Sequence, residues 1–261
     1  MIWDPDVYAR FADDRLRPGL ELLARVRDEQ PSHVLDLGSG PGDLTALLRR
    51  RWPVADIVGV DSSSEMLDAA RRLDTSITWI DGDLDRWAPD RPADVVFSNA
   101  TLHWLDHHEA LFRRIAEWVA PGGTLAVQMP DNWTEPTHRI PARIIDEPGW
   151  PSEARDALMR DRLATAASYR SWLVDSFEAL DLWTTTYHHV LTGSDPVLTW
   201  VKGSVLRPVL AALTAEDAAM FEDLCRRAYA EAYPPEPDGT TILPFRRFFV
   251  IASGKRPAAV G

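Results

Sequence analysis

Three glycines separated by single residues follow a short apolar run near the start of the chain. Residues 34–37, which are apolar except for Asp36, lead into Gly38, Gly40 and Gly42. Glycine adopts backbone dihedrals that other residues disfavour, and it lets a ligand approach the main chain closely. The first turn of a helix that follows would also present free N–H groups. The pattern predicts a strand, a turn that cradles a nucleotide, and the start of a helix.

Acidic residues at the ends of neighbouring apolar runs give this turn a chemical context. Asp36 lies two residues before the first glycine, Asp61 ends the apolar run that starts at residue 57, and Asp83 ends the next one. A carboxylate at the carboxyl end of the second strand of a doubly wound sheet can accept hydrogen bonds from both ribose hydroxyls of a nucleotide. Nicotinamide-dependent oxidoreductases use the spacing G-x-G-x-x-G, whereas this chain has G-x-G-x-G, so that class fits less well.

This order of glycines and acids resembles the class I methyltransferases, which depend on S-adenosyl-L-methionine and have a Rossmann-like fold. By that resemblance the glycine loop borders the methionine part of the cofactor, Asp61 holds its ribose, and Asp83 with Leu84 meets its adenine. The cofactor-binding residues that the resemblance implies are Asp36, Gly38, Ser39, Gly40, Asp61, Ser62, Met66, Gly82, Asp83, Leu84, Asn99, Ala100, His103 and Trp104.

Composition narrows the possible partners. The chain has 261 residues, of which 45% are hydrophobic, and a formal net charge of −12. This length allows one large domain or a domain with a cap, and the excess of acid argues against a nucleic-acid surface. No apolar run approaches the about 20 residues that cross a bilayer, so we expect a cytoplasmic protein without membrane contact. With a single cysteine, Cys225, and with His188 and His189 on opposite faces of a strand, we expect no metal site.

The order of predicted elements indicates an α/β fold. Strand and helix signals alternate between residues 32 and 129, as in parallel sheets with helices on both faces. After Met129 prolines break this rhythm, and a Thr-, Tyr- and His-rich run predicts a further strand before a proline-rich turn and the last strand. The predicted strands are 32–37, 57–60, 77–80, 94–98, 124–129, 182–191 and 247–252, and the predicted helices are 42–51, 64–73, 107–119, 153–163 and 169–179, with two more between 196 and 233.

Further segments resemble the trans-aconitate 2-methyltransferases, a family within this class, over nearly the whole chain. The segment 128–133 is the most specific, and residues 151–172 depart from the family pattern. The other segments are residues 3–8, 17–18, 99–104, 126–127, 183–187, 206–208 and 244–249.

The same resemblance implies the overall organisation. It implies a mostly parallel seven-stranded sheet with an antiparallel last strand, and a helical cap over the carboxyl edge of the sheet. The implied parts are N-terminal cap helices in 1–30, the S-adenosylmethionine-binding core in 31–130, a helical cap segment in 131–180, a core strand in 181–191, a helical cap insertion in 192–243 and the last core strand in 244–254.

A small carboxylate such as trans-aconitate sets clear requirements for its pocket. Its three carboxylates are ionised at neutral pH, so the pocket needs several fixed cations from different chain segments. Arginines in the N-terminal segment, in the insertion and at the start of the last strand are candidates, and Arg246 would point to the face opposite its neighbour. These arginines are Arg17, Arg207 and Arg247, and the resemblance adds Tyr8 and Gln128 as predicted substrate-binding residues.

Methylation of a carboxylate requires no general base, because a carboxyl group with a pKa near about 4 is already ionised at neutral pH. The arginines should bind the carboxylates that do not react, since a strong ion pair on the attacking oxygen would reduce its nucleophilicity. Neutral donors suit the reacting carboxylate, and the candidates are Tyr187, Asn132 and His138.

The histidines near the cofactor segments have other expected roles. His103 beside Trp104 should shield the cofactor, and His107 and His108 should be solvated.

The predicted function is therefore a carboxyl O-methyltransferase that forms a methyl ester on trans-aconitate. Two alternatives remain open. One is a methyltransferase of the same fold that acts on another small carboxylic acid or a natural-product intermediate, which the divergent residues 151–172 would permit. The other is a protein that binds S-adenosylmethionine without turnover, which a blocked acceptor pocket would explain.

Overall fold

A computed structural model of the protein describes residues 16–158, 162–203 and 205–257. The chain divides into two compact units. Unit 1 comprises Met1–Met129, Leu163–Thr184 and Phe248–Gly261, and unit 2 comprises Pro130–Arg162 and Thr185–Arg247. Within the described residues no helix is long and apolar enough to cross a membrane.

Seven strands form one sheet: β1 His33–Leu37, β2 Asp56–Asp61, β3 Thr78–Asp81, β4 Ala93–Asn99, β5 Val119–Pro130, β6 Phe177–Leu191 and β7 Thr241–Lys255. Their order is β3-β2-β1-β4-β5-β7-β6, and the sheet is mostly parallel with an antiparallel last strand. β1 pairs in parallel with β2 on one side and with β4 on the other. The strand order therefore reverses beside β1, which opens a crevice at the carboxyl edge. This confirms the predicted Rossmann-like α/β fold.

Helices flank these strands along the chain. The third of them begins at Ser64, as predicted, and Ser63 caps it: its side chain accepts a hydrogen bond from the Met66 N–H at 3.3 Å. A 3-10 turn, Leu102–Trp104, follows β4. The helices are α1 Arg17–Arg25, α2 Asp43–Arg51, α3 Ser64–Leu73, α4 His108–Glu117, α5 Pro136–Asp146, α6 Ser152–Asp156, α7 Ala166–Leu173, α8 Pro196–Lys202, α9 Arg207–Ala211 and α10 Ala215–Ala232.

The core of unit 1 surrounds the centre of the sheet. Every residue of β1 is buried, as expected for a parallel strand that helices cover on both faces. Leu35 and Leu37 join a core cluster with Phe112 and Val127. Since side chains alternate along a strand, Asp36 points to the face opposite its two leucine neighbours. The strand thus places one carboxylate inside the molecule.

Unit 2 has a hydrophobic core of its own, built mainly from helices. Ile140 and Ile144 of α5 pack in one cluster with Val201 of α8 and with Phe221 and Cys225 of α10. The thiol of Cys225 is completely buried, and this burial raises its pKa to about 12. Cys225 therefore packs in the core of this unit.

Several predicted boundaries are wrong. The predicted helix 169–179 ends at Leu173, and β6 begins at Phe177, because pairing within the sheet overrides the helix propensity of the Glu-Ala-Leu run that follows. The last strand begins at Thr241 rather than at residue 247, although it contains Pro244. The predicted helix 153–163 is only the short α6, and residues 159–161 of that prediction lie outside the described residues.

Two glycines make room for one tryptophan beside the glycine loop. Gly59 of β2 pairs with Trp79 of β3, and a Cβ atom at Gly59 would lie 2.5 Å from Cζ3 of that ring. A Cβ atom at Gly42 would lie 2.8 Å from Cη2 of the same ring. Trp79 is held in place because its indole N–H donates to the Asp74 carbonyl at 2.8 Å. The close packing of β2, β3 and α2 thus depends on these glycines.

We expect Gly59→Ala to lower the free energy of unfolding by about 1–3 kcal/mol, because the added methyl group overlaps the Trp79 ring. Urea unfolding of the purified protein measures this loss. In a Trp79→Leu background the same substitution should cost at least about 1 kcal/mol less. An equal cost in both backgrounds would show that the overlap with Trp79 is not the cause.

Candidate functional site

The glycine loop after β1 is tied to the end of β2 by its main chain. The N–H groups of Gly38 and Ser39 both donate to the Val60 carbonyl, at 2.8 and 3.0 Å. The N–H group of Gly40 donates to Oδ2 of Asp61 at 2.8 Å. The predicted loop residues and the predicted ribose-binding acid therefore lie together at the carboxyl edge of the sheet.

The three glycines of the loop meet different surroundings. All three have positive φ, with values of 75° at Gly38, 55° at Gly40 and 91° at Gly42. A Cβ atom at Gly38 would lie 2.0 Å from Oγ1 of Thr101, so this glycine allows the loop after β4 to approach. Gly42 makes room for Trp79, as described above. A Cβ atom at Gly40 would meet nothing within 4 Å, so Gly40 borders open space where a ligand can approach the main chain.

Asp61 connects three segments at this edge. Besides the bond from Gly40, its Oδ1 accepts from the Ser63 N–H at 2.9 Å, and its carbonyl accepts from the Gly82 N–H at 3.0 Å. Asp83 is exposed and accepts from the N–H of Asp85. These contacts bring the predicted ribose-binding and adenine-binding residues of β2 and β3 side by side. Leu84 has its side chain in the core, which leaves its main chain to meet a ligand.

Asp36 is a buried carboxyl group close to this loop. It is 2% exposed, and its Oδ2 accepts a hydrogen bond from the Thr45 hydroxyl at 2.6 Å. Burial raises the pKa of Asp36 to about 7; the Thr45 bond opposes this shift and the charge of Asp61 adds to it. A cation bound nearby would favour the ionised form. The site therefore contains an acid whose charge responds to its surroundings at neutral pH.

The segment after β4 forms the other side of the crevice. Ala100 has a φ of 56°, which is strained for a residue other than glycine, and its N–H donates to the Gln128 carbonyl at 2.9 Å. The rings of His103 and Trp104 lie 4.7 Å apart, and Trp104 is 47% exposed. Met66, after β2, is 43% exposed. Two large apolar side chains are thus available to cover a flat or aliphatic ligand group.

Two residues near the site were not predicted. His108 is buried rather than solvated, with Nδ1 at 2.5 Å from the Tyr169 hydroxyl and Nε2 at 3.0 Å from the Leu105 carbonyl. It thereby fixes the end of the turn that carries His103. Gly19 of α1 is the second. A Cβ atom there would lie 2.7 Å from Cδ2 of Leu44 and 3.3 Å from Cγ of Asn99, so this glycine allows α1 to pack closely against both side chains. Neither role has a sequence signal, because both arise from contacts between distant segments.

Three polar side chains at this edge have buried atoms without a hydrogen-bond partner in residues 16–158, 162–203 and 205–257. These atoms are Oγ of Ser39, Oδ1 of Asn99, and both amide atoms of Gln128. Asn99 and Gln128 are paired positions on β4 and β5. Buried polar groups are nearly always hydrogen-bonded in native proteins, so this cluster is a candidate site for a polar ligand.

The two adjacent arginines of β7 differ sharply in their surroundings. Arg247 is 7% exposed, its guanidinium carbon lies 4.5 Å from the centre of the Phe245 ring, and no described acidic side chain pairs with it. Burial lowers its pKa to about 10, with Tyr187 opposing the shift, so it remains charged at neutral pH. Its neighbour Arg246 pairs instead with Asp131 at 2.5 Å. The two adjacent arginines therefore have separate surroundings, as their alternation on a strand predicts.

The remaining predicted substrate residues have weaker support. Arg17 pairs with Glu21 one turn later on α1, at 3.2 Å, and its side chain is exposed. Arg207 begins α9 and is exposed. Tyr8 lies outside the described residues. Of the three predicted arginines, only Arg247 combines burial with the lack of an acidic partner among the described residues.

The three predicted neutral donors also have distinct surroundings. Tyr187 is buried and close enough to Arg247 to influence its charge. Burial lowers the pKa of His138 to about 4, so this imidazole is neutral at neutral pH. Oδ1 of Asn132 accepts from the Arg246 N–H at 2.7 Å, and Nδ2 donates to the Arg246 carbonyl at 3.1 Å. These two bonds hold the main chain next to Arg247 and use one of the two N–H groups of the amide.

Comparison with known proteins identifies the family of the chain. A family model described as a methyltransferase domain matches residues 8–176. A trans-aconitate 2-methyltransferase from Methylobacterium nodulans is 45% identical over 255 residues, which are 97% of this chain and 99% of that protein. The enzyme of the same name from Escherichia coli O157:H7 is 39% identical over 250 residues, which are 96% of this chain and 97% of that protein.

The chain belongs to the trans-aconitate 2-methyltransferase family. Its fold is also that of more distant methyltransferases. The phosphoethanolamine N-methyltransferase 2 of Haemonchus contortus, solved in complex with S-adenosyl-L-methionine, superposes with a TM-score of 0.53 at 16% identity, over 92% of this chain and 53% of that one. Membership of the family makes the protein a methyltransferase.

Substitution of Gly40 should separate ligand binding from stability. Gly40→Ala forces alanine into a left-handed conformation, which costs about 1 kcal/mol of folding stability, and its methyl group would enter the open space beside the loop. Gly122→Ala is the matched control, since Gly122 has a φ of 81° and equally open surroundings in the turn within β5. We expect similar losses of stability from both, measured by thermal unfolding. Only Gly40→Ala should weaken S-adenosylmethionine binding in calorimetry, by about tenfold or more; equal affinities would contradict the assignment.

The pKa of Asp36 predicts how stability depends on pH. Its folded-state pKa of about 7 exceeds the value of about 4 for an unfolded aspartate, so the folded state keeps the proton longer. Protonated Asp36 therefore stabilises the folded state relative to the unfolded chain. This contribution is fully present below about pH 4 and is lost as pH rises through about 7, and it amounts to on the order of 4 kcal/mol. Asp36→Asn should remove most of this slope, as measured by urea unfolding of the ligand-free protein at several pH values. Parallel curves for the two proteins would exclude Asp36 as the source.

Proposed function

We propose that the protein is an S-adenosyl-L-methionine-dependent carboxyl O-methyltransferase that converts trans-aconitate to its methyl ester. The observation that carries the proposal is Arg247, a buried cation without an acidic partner among the described residues. Burying an unpaired guanidinium is costly unless an anion compensates it. The names of the relatives at 39–45% identity support trans-aconitate as that anion.

The residues at the carboxyl edge of unit 1 fit S-adenosylmethionine. Asp61 offers a carboxylate for ribose hydroxyls, and the main chain at Gly40 borders open space. Met66 and Trp104 expose apolar surface that suits an adenine ring or an aliphatic chain. The ionised form of Asp36 would favour a bound cation. When bound, S-adenosylmethionine supplies an activated methyl group to an ionised oxygen.

The remaining predicted cofactor residues complete this proposed site. Ser39 and Asn99 contribute buried oxygens that have no partner within the described part of the chain. His103 and Trp104 would exclude water from the reacting groups, which matters because charge–charge interactions are stronger in a dry site. The other residues proposed to contact the cofactor are Gly38, Ser62, Gly82, Asp83, Leu84 and Ala100.

Arg247 is proposed to bind a carboxylate that does not react. Its planar fork suits bidentate pairing with a carboxylate, and its low exposure strengthens that interaction. Tyr187 is proposed to donate a neutral hydrogen bond to the same substrate, and neutral His138 is a further candidate donor. Arg17, Arg207 and Tyr8 complete the proposed substrate set. Asn132 is assigned a supporting role instead, since both its amide atoms bind the main chain of Arg246.

The first experiment measures methyl transfer directly. Purified protein, S-adenosylmethionine and a panel of di- and tricarboxylates would be assayed for S-adenosylhomocysteine, with mass spectrometry to detect the methyl ester. We expect a strong preference for trans-aconitate over citrate. Preference for another acid would make the protein a family member with a different acceptor. Tight cofactor binding without turnover on any acid would indicate a binding protein and contradict the proposal.

Arg247→Met should raise the KM for trans-aconitate by about 10²-fold, because loss of a charge-assisted pair costs roughly 1.5–3 kcal/mol. The kcat should change much less if this arginine binds a carboxylate that does not react. Arg246→Met is the matched control, since that side chain pairs with Asp131, and its KM should stay within about threefold of the wild-type value. A lower kcat at unchanged KM in Arg247→Met would contradict this role.

A further inference from the structure

Gln128 is a buried carboxamide without hydrogen-bond partners. Its side chain is 0% exposed, and neither Oε1 nor Nε2 has a partner among residues that the structure describes. A primary amide can make several hydrogen bonds, and leaving a buried polar group without one costs about 1–3 kcal/mol. A glutamine that served packing alone would be better replaced by leucine or methionine. The cost therefore indicates a partner that binds from outside the described chain.

The position of this amide is fixed by the sheet. Val127 and Met129 on either side of Gln128 are both in the core of unit 1, so the glutamine side chain points to the opposite face. Its carbonyl accepts the N–H of Ala100, and its residue pairs with Asn99 on β4. The Asn99 Oδ1 also lacks a partner, so the two neighbouring amides do not satisfy each other. Both are left to face a ligand at the carboxyl edge of β4 and β5.

We propose that Gln128 orients the carboxylate that accepts the methyl group, by donating a hydrogen bond from Nε2 to the oxygen that does not attack. This inference rests on the proposed function and adds the residue that positions the reacting group. A neutral amide suits this task, because it fixes the direction of the carboxylate while leaving its negative charge on the attacking oxygen. Asn132 differs from Gln128 in that both of its amide atoms already bind the main chain of Arg246.

The Oε1 atom of Gln128 is a hydrogen-bond acceptor that also lacks a partner among the described residues. Oε1 cannot bind a carboxylate, so its partner must be an N–H, O–H or polarised C–H group. The cationic cofactor offers such groups and the substrate anion does not. Gln128 can therefore contact both ligands, one with each end of its amide, and so control their relative orientation. Correct relative orientation of two bound reactants is a large source of rate enhancement.

Gln128→Leu tests the proposal by two independent readouts. The kcat for trans-aconitate should fall by about 10²-fold because the reactants lose their relative orientation. Its KM should stay within about threefold, because one neutral hydrogen bond contributes only about 0.5–1.5 kcal/mol. The thermal unfolding midpoint of the ligand-free protein should stay the same or rise by about 2–4 °C, because an unsatisfied amide is replaced by an apolar group of similar size. A structural glutamine would give the opposite, a lower midpoint, and that result would overturn the proposal. Unchanged kcat would do the same.

Gln128→Glu adds a pH signature that a packing role would not produce. The ionised glutamate would repel the substrate carboxylate, whereas the protonated form is isosteric with glutamine and can donate through its O–H group. Burial raises the pKa of a carboxyl group, so protonation falls in an accessible pH range. We expect the activity of this variant relative to wild type to rise at least about tenfold between about pH 8 and pH 6. The leucine variant is the control and should show no such rise.

The outcomes separate this inference from the proposed function. If the wild-type protein methylates no carboxylate, the proposed function fails, and the inference about the reacting group fails with it. If the wild type is active and Gln128→Leu retains its kcat, or if Gln128→Glu shows no relative gain at low pH, only the role of Gln128 is wrong. Affinity for S-adenosylhomocysteine, measured by calorimetry, should fall no more than about tenfold in both variants; complete loss would assign Gln128 to cofactor binding alone.

Discussion

The bonds that Asp61 makes determine the geometry of the carboxyl edge. Its carboxylate accepts the N–H groups of Gly40 and Ser63, and its carbonyl accepts the N–H of Gly82. One residue thus sets the distance between the glycine loop, the start of α3 and the segment after β3. These segments carry most of the proposed cofactor contacts, so the rigidity of the site follows from hydrogen bonds at a single strand end. Ribose hydroxyls would meet a carboxylate that is already held in position.

Three polar residues are buried without full compensation by the described side chains. Asp36, Gln128 and Arg247 are each at most 7% exposed. Asp36 accepts one hydrogen bond from Thr45, whereas both amide atoms of Gln128 and Nε of Arg247 have no partner among the described residues. A sequence optimised for folding alone would have apolar residues at such positions. By contrast, both amide atoms of Asn132 bind the main chain of Arg246, so we expect Asn132 to support the site and the other three to contact ligands.

Much of the fold could be predicted from sequence because its signals are local. Short sequence patterns each have one structural interpretation here: the alternating runs between residues 32 and 129, the glycine loop, and the serine at the start of the helix Ser64–Leu73. The start of β6 at Phe177 and the burial of His108 could not be predicted, since both depend on partners far away in the chain. The same limit applies to the site. The sequence offers both Asn132 and Gln128 as polar candidates, and only the structure shows that the Asn132 amide binds the main chain of Arg246 while the Gln128 amide has no partner among the described residues.

The charges of the two proposed ligands match the two buried charged groups, one acid and one arginine. S-adenosylmethionine is a cation at its sulfur, and Asp36 and Asp61 are acids beside the loop proposed to hold it. Trans-aconitate is an anion, and Arg247 is a buried cation. Methyl transfer from the first to the second reduces both charges, so a dry site favours the reaction. A neutral donor can orient the reacting carboxylate without opposing this loss of charge, and Gln128 is a buried neutral donor whose amide has no partner among the described residues.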